Sequence, residues 1–509
     1  MAERVGRLMQ QAARISFLAP AAVIAAAAAG FVPLLSFAFA EGGKLAPDAY
    51  IWRVLGFTLL QAALSTVLSI LPAIPAARAL AFRSFPGRGL LLALFAVPQA
   101  LPAIVVVLAL VQLYGRSGWL PDVVNLYGLA GILLAHVFFN LPLALRFCLE
   151  ALENVTPENI RLADQLGFDS RARWRHVDWP ALKPLLPRLA ALIFLLCAAS
   201  FVVVLTFGGP SATTLEVAIY QSLRLDFDVS RAVTLALLQA VLCLVLVIFA
   251  GQLAAPVPTT AALRLLNPAP RPMGWLGLLM VIVATLLVLP PLAALVVSGV
   301  QAIDLRPLLF QALGTSVLIA TLSAAINLLL AWPLVLLQVR LTRGRWLVTA
   351  VSLAGLILPP AVLATGWFVL LRGLITTPAS SVILISCLNA LMALPFSTTI
   401  LGASMAAQLL PQDRLCAQLG LSGWQRFKLI DAPVLTRPIL QALLVAFVLS
   451  FGDLTAILLL GSQGLVTLPS LISAEMGHYR SAAAQGTALL LALLCLAGTL
   501  AANRIGRKT

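Results

Sequence analysis

The chain has 509 residues, of which 61% are hydrophobic and 10% charged, and its mean hydropathy is +1.04. Soluble domains carry about 25% charged residues, so this composition excludes a water-facing globular protein. The net charge of +15 does not indicate nucleic acid as a partner, because the basic residues lie in short segments between apolar runs, where they set membrane topology.

Apolar runs long enough to cross a bilayer recur along the whole chain. A span needs about 20 apolar residues, because the hydrocarbon layer is about 30 Å thick and a helix rises about 1.5 Å per residue. We therefore predict an all-α integral membrane protein. Its twelve predicted spans lie near residues 15–39, 54–77, 89–113, 128–149, 187–207, 231–253, 274–299, 311–337, 347–371, 379–402, 438–461 and 484–502.

The distribution of Lys and Arg predicts the orientation of these spans. If the N-terminus is cytoplasmic, 25 of the 33 basic residues fall on the cytoplasmic side. Cytoplasmic loops carry an excess of Lys and Arg, so both termini are expected in the cytoplasm. An odd number of spans would scramble this alternation, so the bias also favours twelve.

The chain repeats itself at an offset of 253 residues. Residues 162–182 and 415–435 share Leu, Gln, Leu, Gly, Arg, Asp, Pro and Leu in register. Six spans per half is an even number, so the two halves are parallel repeats related by an axis along the membrane normal. We predict a first half at 1–255, a cytoplasmic linker at 256–273 and a second half at 274–509.

The repeated segments, 158–184 and 411–437, lie on the predicted cytoplasmic side. Each predicts a short helix, a glycine break, a second short helix and a proline before the next span. An aromatic residue among basic residues, Trp174 or Phe427, can anchor a loop at lipid headgroups. It can also dock into a cleft of a cytoplasmic partner, and the repeated residue order favours a partner with two-fold symmetry.

The two segments resemble the EAA loop of ABC importer permeases, in which Glu-Ala-Ala is followed by a glycine, an aromatic residue, a β-branched residue and Leu-Pro. The resemblance implies a type I importer fold in which each loop is a coupling helix seated on an ATPase subunit. At the glutamate position this chain has Arg161 and Arg414 instead. The expected ATPase-coupling residues are Ala163, Gly167, Trp174, Val177, Pro180, Cys416, Gly420, Phe427, Ile430 and Pro433.

Two fused halves in one chain are similar to the iron and thiamine permease branch of that family. The stretches 136–142, 214–221 and 477–481 look like those of its thiamine permeases. The resemblance implies a multi-pass permease of the bacterial inner membrane that receives thiamine or its phosphates from a periplasmic binding protein. It also implies two copies of a cytoplasmic ATPase, which use ATP and magnesium.

Polar residues at membrane depth are costly and mark candidate pathway sites. The sequence contains no Gly-x4-Gly-Lys-Ser/Thr phosphate loop, so we expect no ATP site, cofactor or catalytic residue on this chain. Carboxylates could attract a cationic thiazolium, aromatic rings could stack on it and arginine could meet a phosphate. The candidates for these roles are Glu216, Tyr220, Asp453, Tyr479 and Arg480.

Other interpretations stay open at this point. A helix–helix hydrogen bond is the simpler role for His136 and Asn140, and it is an alternative for Asp453. The same machinery could import ferric iron, although the sequence offers few carboxylates and three His and predicts no metal site. A secondary transporter would not need two docking segments, and it usually carries coupled ionisable residues at the midplane, where only Asp453 is a good candidate.

Overall fold

The computed structural model of the chain describes residues 2–40, 48–81, 85–121, 123–210, 212–252, 275–304, 306–341, 344–371, 377–421, 423–478 and 480–506. Over these residues the chain forms helices and no strand, which confirms the all-α prediction. The predicted linker at 256–273 lies outside the described residues, so the boundary between the two sequence halves stays a prediction.

The helices follow one another along the chain with short connections. The first twelve are α1 Ala2–Ala40, α2 Ala49–Leu80, α3 Arg88–Ala96, α4 Ala103–Tyr114, α5 Leu129–Glu153, α6 Pro157–Gln165, α7 Ser170–Arg173, α8 Trp179–Leu182, α9 Leu186–Ala198, α10 Val202–Phe207, α11 Leu215–Arg224 and α12 Val229–Gln252. The others are α13 Trp275–Gln301, α14 Pro307–Arg340, α15 Arg345–Ser352, α16 Ala354–Ile357, α17 Pro360–Leu371, α18 Pro378–Gln418, α19 Gly423–Arg426, α20 Ala432–Val434, α21 Thr436–Phe451, α22 Thr455–Leu460, α23 Leu468–Gly477 and α24 Ser481–Gly506. A 3-10 turn covers Val97–Ala100, and π-helical turns cover Trp174–Asp178 and Phe427–Asp431.

Eight of the described helices are long and apolar enough to cross a membrane: α1, α2, α5, α12, α13, α14, α18 and α24. Three further spans are broken helices, bent by 113° after the turn at 97–100, by 53° between α8 and α9, and by 67° between α20 and α21. Pro102 stands at the first break, where its missing amide hydrogen ends the helical ladder. The count thus reaches eleven if each broken pair is one span; a twelfth span and the orientation stay predictions.

The helices group into two compact units that do not coincide with the two sequence halves. Unit one comprises Met1–Ala46, Ile219–Cys243 and Ala302–Thr509. Unit two comprises Pro47–Ala218 and Leu244–Gln301. Each unit therefore includes the first helix of the opposite half, α1 in unit one and α13 in unit two.

Unit one is built on α14, α18, α21 and α24, which pack against one another. The buried Ala324, Ala393 and Ala446 meet where the first three of these helices cross. Small side chains let helix backbones approach closely, which strengthens packing between apolar helices in a membrane. α1 packs against α14 and α17, and a Cβ atom on Gly366 of α17 would overlap the backbone of Gly30 in α1.

Unit two is built on α2, α5 and α9, with α13 packed against α2 and α4. Small residues again mark the close contact, because a Cβ atom on Gly277 of α13 would lie 2.6 Å from the Cβ of Ala79 in α2. α2 also carries a stripe of buried Thr and Ser side chains, whose hydroxyls bond to the preceding turn or to neighbouring helices. This polar stripe positions the sites described next.

Candidate coupling segments and buried polar sites

Both repeated segments turn at a glycine with a left-handed backbone. Gly167 has φ +64° and Gly420 has φ +67°, a conformation that other residues adopt at a cost. In each copy the amide of the next residue donates to a carbonyl five residues back, that of Ala163 at 3.0 Å and that of Cys416 at 2.9 Å. This bond ends the helix as a Schellman motif. Ala163 and Cys416 are buried under the turn, where only a small side chain fits.

After the glycine, each copy passes from an α-helical turn into a π-helical turn. A π turn stacks residues five apart, so an Arg and an Asp at that spacing face each other. Arg173 lies 3.8 Å from Asp178, and Arg426 lies 3.1 Å from Asp431. Both aspartates are buried, so these ion pairs hold the turn closed from inside. In the first copy, Asp169 also accepts the amide of Ala172 and caps α7, as its position predicts.

The predicted coupling residues have the same burial in both copies. The aromatic position is half-buried, the β-branched position is half-buried and the proline is exposed: Trp174 and Phe427, Val177 and Ile430, Pro180 and Pro433. Large apolar side chains around them are exposed, with Leu166 60% exposed and Leu419 and Leu429 61% exposed. Exposed apolar side chains grouped on one element are typical of a surface that contacts a partner or a lipid.

The two copies are attached to the rest of their units in different ways. In the first copy, Arg78 of α2 donates from Nε to Asp178 at 2.7 Å and from Nη2 to the carbonyl of Ser170 at 2.8 Å. Its guanidinium also lies 5.3 Å from the centre of the Trp174 ring. In the second copy, Phe427 packs edge-on against Trp332 of α14, with ring centres 5.1 Å apart. Sequence patterns along each segment did not reveal Arg78 or Trp332, which lie about a hundred residues earlier in the chain.

Asp453 stands between α21 and α22 and caps the second of these helices. Its carboxylate accepts the backbone amides of Thr455 at 3.3 Å and Ala456 at 2.9 Å. It also lines a cavity of about 10 Å³ that is walled by hydroxyl and amide side chains, including Ser316, Asn389, Ser450 and Thr467. The position is therefore polar and partly satisfied, which suits both a capping role and contact with a small polar occupant.

At the other end of α22, Arg224 satisfies the free carbonyls. Its Nη2 donates to the oxygen of Gly461 at 2.7 Å and its Nε to the oxygen of Leu458 at 3.2 Å. A cation near a helix C-terminus is favourable because the last carbonyls lack partners within the helix. This short helix is therefore held between a carboxylate and a guanidinium.

The other predicted pathway residues occupy varied environments. Glu216 lies in the first turn of α11 and is completely buried, although the sequence suggested an outside loop. Neither of its carboxylate oxygens has a hydrogen-bond partner among the described residues. Tyr220, one turn further along α11, is half-buried, and Arg480 is exposed with its amide bonded to the carbonyl of Glu475 at 2.9 Å. Tyr479 lies outside the described residues.

His136 and Asn140 of α5 make the helix–helix hydrogen bonds that the sequence predicts. His136 Nδ1 lies 3.0 Å from the hydroxyl of Ser65 in α2. The Asn140 amide donates to the sulfur of Cys197 in α9 at 3.3 Å and to the carbonyl of His136 at 2.9 Å. These bonds tie α5 to α2 and α9 through polar groups that would be costly to leave unpaired in an apolar layer.

The sequence is similar to known transport proteins over almost its whole length. Residues 69–256 match the family described as binding-protein-dependent transport system inner membrane component. The thiamine transport system permease protein of Brucella melitensis is 42% identical over 90% of this chain and 88% of its own length. That of Escherichia coli K12 is 42% identical over 88% of both chains, and that of Haemophilus influenzae is 36% identical over 91% of both.

These relatives carry the repeated-segment geometry to a definite family. Identity of this level over nine-tenths of both chains extends far beyond the two turns, and the apolar helices agree with an inner membrane component. The first repeated segment falls inside the matched region, 69–256. The chain therefore belongs to the thiamine permease family of ABC transporters and is a multi-pass protein of the bacterial inner membrane.

Proposed function

We propose that this chain is the membrane permease of an ATP-driven importer, which moves thiamine or its phosphates from a periplasmic binding protein into the cytoplasm. The observation that carries the proposal is the pair of repeated segments, 158–184 and 411–437. Both have a left-handed glycine, a π turn closed by an Arg–Asp pair and exposed leucines. A motor with two equivalent subunits needs two such matching surfaces.

The motor is a separate ATPase in two copies, one for each segment, and it uses the ATP and magnesium. Exposed Leu166 in the first segment and Leu419 and Leu429 in the second supply apolar surface for a groove on each copy. Reversing a conformational equilibrium from 1:99 to 99:1 takes about 5.5 kcal/mol of differential binding, which closure of a nucleotide-bound dimer can supply. The permease then alternates between outward-open and inward-open states.

The substrate pathway uses the predicted polar residues. Glu216 and Asp453 attract the positively charged thiazolium, and Tyr220 and Tyr479 present aromatic faces to its rings. Arg480 is exposed and meets phosphate groups of phosphorylated substrates. The buried state of Glu216 and the small cavity beside Asp453 support this role, because polar groups at membrane depth are costly unless they serve a ligand or a partner.

Proline substitution at the two turning glycines tests the coupling role. Proline fixes φ near −65°, so Gly167→Pro and Gly420→Pro cannot keep the left-handed turn. In proteoliposomes that contain the ATPase and the binding protein, each variant should hydrolyse ATP while importing thiamine at least about tenfold more slowly, a loss of about 1.4 kcal/mol in coupling.

Gly464→Pro is the matched control. Gly464 has φ +86° and open space around it, but it lies in the loop between α22 and α23, away from both repeated segments. It should suffer the same backbone strain and retain import coupled to hydrolysis. Import at the wild-type rate in correctly inserted Gly167→Pro and Gly420→Pro proteins would show that the segments do not couple the ATPase to transport.

A further inference from the structure

Five buried polar atoms in unit two lack a hydrogen-bond partner in the described part of the chain. They are Oε1 of Gln61, Nε2 of His136, Oγ1 of Thr214 and both carboxylate oxygens of Glu216. Gln61 and Glu216 are completely buried, and His136 and Thr214 are 3% and 7% exposed. A buried polar atom without a partner costs about 1–3 kcal/mol, so this group of orphaned atoms indicates a missing ligand.

Hydrogen bonds arrange these residues along one stripe of α2. Thr58 Oγ1 accepts the backbone amide of Leu215 at 3.1 Å, which brings the start of α11 to α2. One turn on, Gln61 Nε2 donates to the carbonyl of Cys197 at 2.9 Å, so its Oε1 remains to face the site. A further turn on, Ser65 bonds to His136 Nδ1. Apart from the neutral side chains of α2, these contacts bring one other titratable group to the site, the Cys197 thiol on α9.

The second sequence half shows how such residues converge. The bond between Thr58 and Leu215 has an equivalent, because the amide of Leu468 donates to Ser316 Oγ at 2.9 Å. This equivalence superposes Thr58, His136, Thr214 and Glu216 on four residues of the second half. Those four residues, Ser316, Asn389, Thr467 and Pro469, line the single cavity beside Asp453.

The repeat therefore places the orphaned atoms of the first half around one small site. No direct hydrogen bond joins Glu216 to His136, Gln61 or Thr214, so the atoms stand apart by more than a hydrogen-bond length. A bridging water is the usual solution where buried polar groups face one another across such a gap. A water needs two to four polar partners, and this site offers four residues.

We propose that Gln61, His136, Thr214 and Glu216 enclose an internal water site in which Glu216 holds a proton. An isolated carboxylate in an apolar interior is far more costly than the neutral acid, and an ion pair with His136 would desolvate two charges. The Glu216 hydroxyl donates to the water, and the water donates to Gln61 and Thr214. With His136 Nδ1 accepting from Ser65, Nε2 carries the hydrogen and donates to the remaining Glu216 oxygen or to the water. The site gives up its proton only when it opens to bulk water.

Infrared spectroscopy of the full chain in lipid nanodiscs tests this site. The difference between wild-type and Glu216→Gln spectra at pH 7 should contain a carboxylic acid C=O band, and Glu216→Asp should shift that band rather than abolish it. Glu475→Gln is the matched control, because Glu475 is equally buried but lies 2.6 Å from Arg306 Nη2. Its difference spectrum should show loss of an ionised carboxylate.

Two results would overturn the proposal. One is a wild-type minus Glu216→Gln spectrum with carboxylate bands and no carboxylic acid band, which would show that Glu216 is ionised. The other is a carboxylic acid band that appears only when sodium chloride is replaced by choline chloride, which would show that a metal cation occupies the site. A Glu216 band that is the same in both salts would support the water site and is independent of whether the chain carries thiamine.

Discussion

The two repeated segments, 158–184 and 411–437, have the same backbone but different attachments. Both turn at a glycine with φ near +65° and close a π turn with a buried Arg–Asp pair. The first is held to α2 by the charged side chain of Arg78, and the second is held to α14 by an aromatic contact with Trp332. Local sequence therefore determines the shape of each segment, whereas its attachment to the neighbouring span can be ionic or apolar.

Removing the ionic attachment should have the largest effect. Arg78→Met leaves the buried Asp178 with only Arg173 at 3.8 Å. A broken buried pair costs about 3–5 kcal/mol, and Arg78 is 33% exposed, so we expect a loss of about 2 kcal/mol in the free energy of unfolding. Unfolding by SDS from mixed micelles measures it. Adding Asp178→Asn removes the uncompensated charge and should restore about half of the loss; no recovery would show that Arg78 acts through its ring contact instead.

Removing the aromatic attachment should have a smaller effect. Trp332→Leu keeps an apolar side chain on α14 but loses the edge-on contact with Phe427. Such contacts contribute about 0.5–1.5 kcal/mol beyond the area they bury, so we expect a loss of about 1.5 kcal/mol in the same unfolding experiment. Combining Trp332→Leu with Phe427→Leu should add little to either single change. Additive losses would contradict a direct contact between the two rings.

The shared glycine turn should be the least sensitive of the three features to a small substitution. Gly167→Ala and Gly420→Ala have open space for the added methyl group, so the expected cost is backbone strain alone, about 1 kcal/mol for each variant. Gly56→Ala is the control: it also has open space, and it lies inside α2 with no positive φ, so it should be neutral or stabilising by about 0.5 kcal/mol. Equal effects at all three positions would contradict the turn geometry as the cause.

The sequence predicted those features that depend on short-range patterns. Apolar runs located the long helices, and a register of identical residues identified both turns, including the glycines and the Asp169 cap. Long-range partners were not predictable in this way. Arg78 is an ordinary basic residue at the end of a span until Asp178 is placed beside it, and Glu216 reads as a loop residue until α11 is folded against α2.

The helix breaks were also beyond reach of the sequence patterns. A run of apolar residues has the same composition whether the helix is straight or bent, so the prediction treated 89–113 as one span. The structure bends that region by 113° at the connection between the 3-10 turn and α4. Proline at position 102 permits a break, but prolines also lie inside the continuous helices α2 and α14. Tertiary packing selects among these prolines.

The membership of α1 and α13 in the opposite units has a consequence for how the chain can be made. Unit two cannot assemble fully on the ribosome until residues 275–301 have been translated, long after its other helices have been inserted. Unit one must keep its earliest helix waiting for residues 302–509. Separate genes for the two sequence halves would yield polypeptides that each lack a packing partner and depend on simultaneous synthesis, whereas a fused gene delivers both in fixed ratio.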